Sequence, residues 1–403
     1  MLTRRNLLLT LFGLLFFITC SKDINGSSKE SLYLVEPTIY YYTEVIDIPL
    51  PTQSSTGDAL LKEETQNNLQ NVVADYLAMY QPEGMGISIY CGTDTEWHAY
   101  AGKSDRDKQI DVTENTLFHS ASSGKMIMSA IIFSLIQEGA LHLDDLISTW
   151  FDAGDLFSGV TIDHLLSHTS GIVTFEIMRK FQEEKRTWSE EELVDLVYKN
   201  QNKKLFQPGT AFHYSNTGYV MLGLIAKKVT GETLEALFSS RIKTKAGLNN
   251  IFYLSEETCG NFPTASFNPS GDYVTLPDPF YASGPHGAGA FAGTPREFAH
   301  FLNTLMAGQI LEPDFLQMMM SGLRLCEATE QTEVYYGRGI KLIRIIVPDK
   351  TADYIGHSGQ YTGFGFTSQI YHCTNCNATI CIMTNQEVTT APLVFKLAES
   401  SSK

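Results

Sequence analysis

Residues 118–146 read FHSASSGKMIMSAIIFSLIQEGALHLDDL, and this stretch decides how the rest of the chain is understood. It opens on Ser122-Ser123-Gly124-Lys125 and runs directly into an almost wholly apolar segment. Positions i and i+3 share a helix face, so Lys125 is expected over Ser122. A helix N-terminus favours a developing alkoxide, and a desolvated amine with a lowered pKa can help remove the serine proton. Two further Ser-x-x-Lys matches start at Ser240 and Ser400. They lie in a charged segment and in a polar tail. Only the Ser122 copy precedes a helix apolar on every side, with Met126, Ile127, Met128, Ile131, Ile132, Phe133, Leu135 and Ile136. Such a helix belongs in the middle of a large protein, and Gly139 supplies its stop.

The 403 residues, 43% of them hydrophobic, are enough for one large domain or two. The formal net charge is −16; without Arg4 and Arg5 it is −16 − 2 = −18. An acidic chain with no basic cluster is a poor nucleic-acid binder. Residues 1–20 carry a basic n-region (Arg4, Arg5) and a short apolar run, Leu7 to Ile18, ending at Cys20. That is the layout of an export signal. Cys20, before polar Ser21-Lys22-Asp23, resembles the acylated cysteine of a bacterial lipoprotein, although Phe17-Ile18-Thr19 is a loose version of the motif. The expectation is an exported bacterial protein, lipid-anchored through Cys20 on the periplasmic side or at the cell surface. Thr3-Arg4-Arg5-Asn6 is read as an ordinary basic n-region rather than a twin-arginine signal. Cys373-Thr374-Asn375-Cys376 is expected in a hairpin turn, as a local disulfide or as two free thiols; no second pair or histidine spacing makes it a zinc site.

Residues 21–60 read as a tether followed by an extended aromatic segment, and 61–400 as the main domain. Leu69, Val72, Val73, Tyr76, Leu77 and Tyr80 keep helical spacing. Gly86–Cys91 and Trp97–Ala101 read as strands. A largely helical stretch then occupies about 118–285. It includes a helix after the capping box Ser189–Glu192, one over Gly218–Val229 and one over Leu234–Ile242. Thr294-Pro295 starts another helix. Strand-like runs cover Gly339–Val347, Gly363–Tyr371 and Ala378–Thr384. The expected fold is α/β of the α+β kind: an antiparallel sheet flanked by terminal helices, with an all-α subdomain inserted between its strands. Ser122 would lie at the junction, where clefts form.

Two more motifs carry chemistry. Tyr214-Ser215-Asn216 lies in a Pro-Gly loop before an apolar helix, where a phenol can relay a proton and an amide can bind a carbonyl. Tyr198-Lys199-Asn200 has the same spacing but ends an amphipathic helix. Gly356-His357-Ser358-Gly359-Gln360 precedes a strand, and its glycines admit a ligand to backbone N–H groups. The same segment approximates a nucleophile elbow at Ser358, with Gln360 where that motif needs glycine. His164 and His168 have metal-like i,i+4 spacing, but the following Thr-Ser-Gly favours buried or capping roles.

Ser122-x-x-Lys125, Tyr214-x-Asn216 and His357-x-Gly359 follow one another at gaps of 92 (214 − 122) and 143 (357 − 214) residues. Together with HLLSHTSG (164–171), Pro208-Gly209-Thr210, Tyr336-Gly337-x-Gly339 and Thr294-Pro295-Arg296, they resemble the penicillin-recognising serine hydrolases of the class C β-lactamase and D-alanyl-D-alanine carboxypeptidase type, over about Leu69–Asn385. The resemblance implies a β-lactamase/transpeptidase-like fold. It implies acyl transfer through Ser122 with Lys125 and Tyr214 sharing proton transfers, Asn216 on the substrate amide, and an oxyanion hole from the N–H groups of Ser122 and Gln360. No metal or cofactor is implied, and the substrate would be a small molecule or a peptidoglycan-derived peptide. One departure matters: His357 stands where the β-lactamases of this type keep lysine. A substrate carboxylate then needs another cation, for which Arg338 is the candidate. The departure favours a peptidase, amidase or esterase. A true β-lactamase, a penicillin-binding sensor that does not turn over, and a Ser358 esterase stay open as alternatives.

Overall fold

The computed structural model describes residues 35–50, 61–92, 95–151, 154–184, 186–201, 203–254, 265–267, 273–275, 286–347, 350–361 and 365–401. The export signal and Cys20 lie outside them. Ten strands among the described residues build one sheet: β1 (Val45–Ile46), β2 (Gly84–Cys91), β3 (Thr95–Asp105), β4 (Ile110–Asp111), β5 (Leu323–Ala328), β6 (Thr332–Tyr336), β7 (Lys341–Val347), β8 (Lys350–Tyr361), β9 (Phe366–Cys373) and β10 (Ala378–Thr384). Their order is β1-β5-β6-β7-β8-β9-β10-β2-β3-β4, antiparallel at every neighbouring pair. The N-terminal strands therefore join the C-terminal ones through β10 and β2, and the helices between residues 125 and 306 come between the two sets in sequence.

Two helices from the chain ends cover one face. α1 (Glu63–Tyr80) presents Leu69, Val73 and Tyr76; α6 (Ala391–Ser401) presents Leu393, Val394 and Leu397. Both sets pack on Ile87, Ile89 and Ile380 of the sheet. The opposite face carries the larger core, into which α2 (Lys125–Gln137) is sunk. Every residue of α2 except Gln137 is buried, as its all-round apolar sequence requires. It packs among α4 (Asn216–Thr230), α5 (Pro295–Met306) and the sheet. α3 (Glu190–Asn200) starts at the expected capping box, Ser189 with Glu192, and Thr294 caps α5 with Pro295 at its first turn.

The sequence reading is corrected at three places. Gly356–Gln360, expected just ahead of a strand, itself lies inside β8, where β-poor glycine, serine and histidine are held by pairing to β9. The β5–β6 hairpin carries no strong alternation and was missed. Leu234–Ile242 is one helical turn-and-a-half to Phe238 that widens into a π turn over Ser239–Lys243. Cys373 and Cys376 do sit at the β9–β10 turn, with no disulfide joining them. Among the described residues no helix is long and apolar enough to cross a membrane.

Burial beneath α5 also fixes an acid limit. His372 on β9 bonds Thr379 Oγ1 (2.9 Å), and desolvation pushes its pKa down to about 4. The unfolded chain takes up this proton near pH 6.5 and the folded chain only near 4. Stability is therefore full above pH 6.5, falls as the pH drops, and has lost up to about 3 kcal/mol from this group by pH 4. Thermal melts across pH 7 to 4 should show the fall, and His372→Leu should make it shallower; an unchanged slope in that variant would remove His372 from the account.

Candidate active site

The nucleophile candidate sits on a 3-10 turn, Ala121–Gly124, that feeds α2. Ala121 holds φ = 47°, a left-handed conformation that costs an L-residue about 1–2 kcal/mol. Local bonds hold it there. The Ala121 N–H donates to His119 Nδ1 (2.9 Å), and the Ser120 hydroxyl donates to Gly289 O (3.0 Å). A side chain at Gly289 would stand 2.3 Å from Ala121 O, so glycine is what lets this turn close.

Lys125 lies one turn on, fully buried. Its Nζ is 3.3 Å from Ser122 Oγ and donates to Ala288 O at 2.8 Å. It stands 4.9 Å over the Tyr214 ring and 5.3 Å over the Tyr219 ring. Desolvation drives its pKa well below the ordinary lysine value; Lys341 pushes it the same way, and Glu176 opposes. Burial raises the Tyr214 phenol well above its usual value, and interaction with Ser122 draws it back. The Tyr214 hydroxyl faces Ser122 without completing a hydrogen bond of full geometry. Ser122, Lys125 and Tyr214, expected together from the motifs, are together.

Asn216 opens α4. Its Nδ2 donates to Glu176 and its backbone N–H to Thr174 Oγ1 (3.1 Å). Glu176 is an acceptor, so the amide group facing it is NH₂. That leaves Asn216 Oδ1 buried without a partner, an acceptor ready for a substrate N–H. Glu176 also accepts from the Thr174 hydroxyl. Nothing in the phrase Val173-Thr174-Phe175-Glu176 marks this glutamate, and the sequence reading missed it.

β8 forms the opposite wall. A side chain at Gly359 would stand 2.2 Å from Ser120 O and 2.9 Å from Ser122 N, so only glycine lets β8 approach the nucleophile turn. Ser123 and Ser368 hydroxyls rivet the two together: Ser123 donates to Ser368 Oγ (2.6 Å) and Ser368 to Ser120 O (2.6 Å), with Ser123 Oγ also 3.2 Å from His357 O. The Gln360 side chain turns aside to Glu387 (3.0 Å). Ser358 lies within a strand, not at a strand-to-helix turn, which removes the elbow reading.

His357 belongs to a relay whose proton positions follow from its ends. His168 Nδ1 accepts the Ser215 N–H (3.1 Å), so in the neutral ring Nε2 carries the proton and donates to Tyr336 Oη (3.1 Å). At the far end, His357 Nδ1 lies on the Ser358 carbonyl, which can only accept. Its Nε2 is therefore the acceptor, and Tyr336 donates to it at 3.1 Å. Desolvation drives both imidazoles well below the ordinary histidine pKa; neighbouring lysine charge adds to this, Lys125 first for His168 and Lys341 first for His357. His357 is thus neutral with both nitrogens engaged. The His168 ring also packs on Tyr214, centroids 4.2 Å apart. His164 caps its own helix through Thr161, the role expected of it.

Arg338 is not the substrate cation. Its Nε sits 2.5 Å from Asp163, and Nη1 donates to Met318 O (2.6 Å) and Ser321 Oγ (3.0 Å). The guanidinium is spent tying the β6–β7 hairpin to the helices. The lysine that does reach β8 is Lys341, first residue of β7, whose Nζ donates to Ser358 Oγ at 3.0 Å. Its signal in the sequence was a charge leading into the apolar run Leu342-Ile343.

A family model for beta-lactamase matches residues 69–398. The chain belongs to the beta-lactamase family. Membership makes it a serine hydrolase of the β-lactamase fold. Penicillin-binding protein 4* of Bacillus subtilis is 24% identical over 355 residues, 84% of this chain and 76% of that one. A beta-lactamase of Pseudomonas fluorescens is 26% identical over 195 residues, 48% of this chain and 52% of its own. Among solved structures, D-amino acid amidase from Ochrobactrum anthropi SV3 in complex with L-phenylalanine superimposes with a TM-score of 0.71 at 24% identity, covering 84% of this chain and 98% of that one.

The relay makes a spectroscopic prediction. ¹⁵N NMR at pH 7 should find His357 as the Nδ1–H tautomer and His168 as the Nε2–H tautomer. Tyr336→Phe should shift the His357 Nε2 resonance and leave its Nδ1 bonded; the opposite tautomers would sink the assignment.

Proposed function

We propose that this protein is an exported serine hydrolase that cleaves an amide or ester bond through an acyl-enzyme on Ser122, as a D-alanyl-D-alanine peptidase or a related amidase or esterase, held at the membrane by a lipid on Cys20. The observation that carries the catalytic part is the fully buried Lys125 amine 3.3 Å from Ser122 Oγ. In this reading Ser122 Oγ attacks the substrate carbonyl carbon. Its proton passes to the Lys125–Tyr214 pair, and the carbonyl becomes an oxyanion facing the N–H groups of Ser122 and Gln360. Collapse breaks the C–N bond, and the pair returns the proton to the leaving amine. Water then attacks the ester by the same steps. Glu176 and the Tyr214 and Tyr219 rings favour Lys125 while it briefly carries the proton.

The amidase that is similar in fold supports an amide substrate. The neutral His357 weighs against efficient β-lactam turnover. A hydrolysis panel of nitrocefin, a D-Ala-D-Ala peptide, a D-amino acid amide and a short nitrophenyl ester should show an amide or ester cleaved faster than nitrocefin. Ser122→Ala should lower that rate at least ~10³-fold. Stable labelling by a fluorescent penicillin with no turnover of any substrate would instead make the protein a sensor.

The lysine leaves a pH signature. Because the neutral amine is the base, kcat/KM should rise with pH through a pKa well below that of free lysine. Lys125→Arg, which stays protonated, should cost about 10²–10⁴-fold and erase that acid limb. A limb that survives the substitution would move the base to another group.

A further inference from the structure

Three cysteines at one end of the sheet take no part in the hydrolysis. Cys373 ends β9, Cys376 lies in the turn that follows, and Cys91 ends β2 opposite Ala378, just past that turn. The turn is held from both sides. The Thr374 N–H donates to Asp353 O at 3.0 Å, the Asp353 N–H donates to Asn375 Oδ1 at 3.0 Å, and the Gly92 N–H donates to Asn377 O at 2.8 Å. Asn377 itself is left-handed, with φ = 46°. This shape folds Cys376 back over Cys373, and the Cys376 N–H donates to Cys373 Sγ at 3.2 Å. The Asn375 N–H bonds the same sulfur, and the two thiols are in hydrogen-bond contact with each other. The pair is unequal. Cys373 is buried in the core beneath α1 and α6, whereas Cys376 is partly open to solvent.

We propose that Cys373 and Cys376 form a redox-active pair that exchanges with small disulfides of the glutathione type, with Cys376 as the entry thiol and Cys373 as the resolving one. The hydrogen bond to Cys376 and desolvation hold the Cys373 thiol protonated, against the pull of the Cys376 and Asn375 N–H groups. A thiol that keeps its proton can donate it to the neighbouring sulfur, so the thiolate forms first on Cys376, where solvent reaches it. Cys91 is the poorer nucleophile. Desolvation pushes its pKa up to about 11, with Ser401 drawing it down and Cys376 adding to the rise. In the first step Cys376 Sγ attacks one sulfur of oxidised glutathione, which forms a mixed disulfide and releases one glutathione thiolate. Cys373 Sγ then attacks Cys376 Sγ, the Cys373–Cys376 bond forms, and the second glutathione leaves. The chain gives up two protons and two electrons, and one glutathione disulfide becomes two thiols. An exported protein meets such oxidants. The link would close the turn that holds Asp353, the partner of Arg344 across the β7–β8 hairpin, at the opposite end of β8 from Gly359.

The test counts thiols on the full chain, so it is read independently of turnover. The protein is reduced, incubated with oxidised glutathione, quenched in acid, unfolded and alkylated, and its peptides are weighed by mass spectrometry. Cys373 and Cys376 should be lost to alkylation together, in one peptide lighter by two hydrogens, while Cys381 stays alkylatable. After Cys373→Ser, Cys376 should stop as a glutathione adduct. After Cys376→Ser, Cys373 should carry no adduct, because the entry thiol is gone. Cys91→Ser should leave the link intact. Two alkylated thiols in the unaltered protein, an adduct on Cys373 in place of Cys376, or a link from Cys376 to any cysteine but Cys373 overturns the proposal. Should a serine variant not fold, the unaltered protein decides alone: the Cys373–Cys376 link supports the proposal and its absence overturns it. A failed hydrolysis panel with the link present would count against the acyl-enzyme reading and not against the thiol pair.

Discussion

Burying the amine of Lys125 is the constraint on which the site depends. An ammonium taken out of water with no full counter-charge costs several kcal/mol, and the cheaper course is to give up the proton. The protein enforces that course with an apolar helix sunk on all sides and with two phenol rings and one carbonyl around Nζ. What emerges is an amine that gives up its proton at a lower pH than an ordinary lysine. The Ser122 turn, with its left-handed Ala121, is then shaped to present one hydroxyl to that amine. Strain in the turn and desolvation of the lysine are both stabilised by the same packed core, so neither is separable from the helix that carries them.

The second wall is attached with equal economy of parts. Two serine hydroxyls and a missing side chain at Gly359 bring β8 against the nucleophile turn, and the relay through Tyr336 locks the imidazole that follows. Because each proton in that relay has one possible place, the strand cannot offer His357 as a donor or as a charge. The electrostatics of the cleft are set instead by lysines on two different elements, with Lys341 adding to the depression of Lys125.

Much of this was legible beforehand, and for definite reasons. A helix apolar on every side can only be internal, so α2 and the place of Ser122 could be read from residues 118–146. Tyr214 and Asn216 could be read because a Pro-Gly loop before an apolar helix is a fixed local arrangement. Arg338 was misread because proximity in sequence to a strand says nothing about Asp163, 175 positions away. β8 was misread because glycine and serine show no alternation, and the pairing that makes it a strand comes from β9. Glu176 and Lys341 went unseen for the same kind of reason: each matters through a partner on another element, Asn216 in one case and Ser358 in the other.

The first described residues also bear on how the protein can be handled. Tyr40 pairs with Phe212, two residues before Tyr214, while Val45 pairs with Arg324 at the sheet edge. The His213 imidazole donates to Thr38 O at 2.7 Å, and the Tyr42 hydroxyl to Gly209 O. This strap therefore stitches the tyrosine-bearing loop to the far side of the sheet. A recombinant version trimmed back to the start of α1 would keep every motif and lose the strap. It would leave His213 and the Gly209 carbonyl without their partners close in sequence to the Tyr214 phenol. The starting residue chosen for expression is thus part of the active site's design, and it belongs upstream of Thr38.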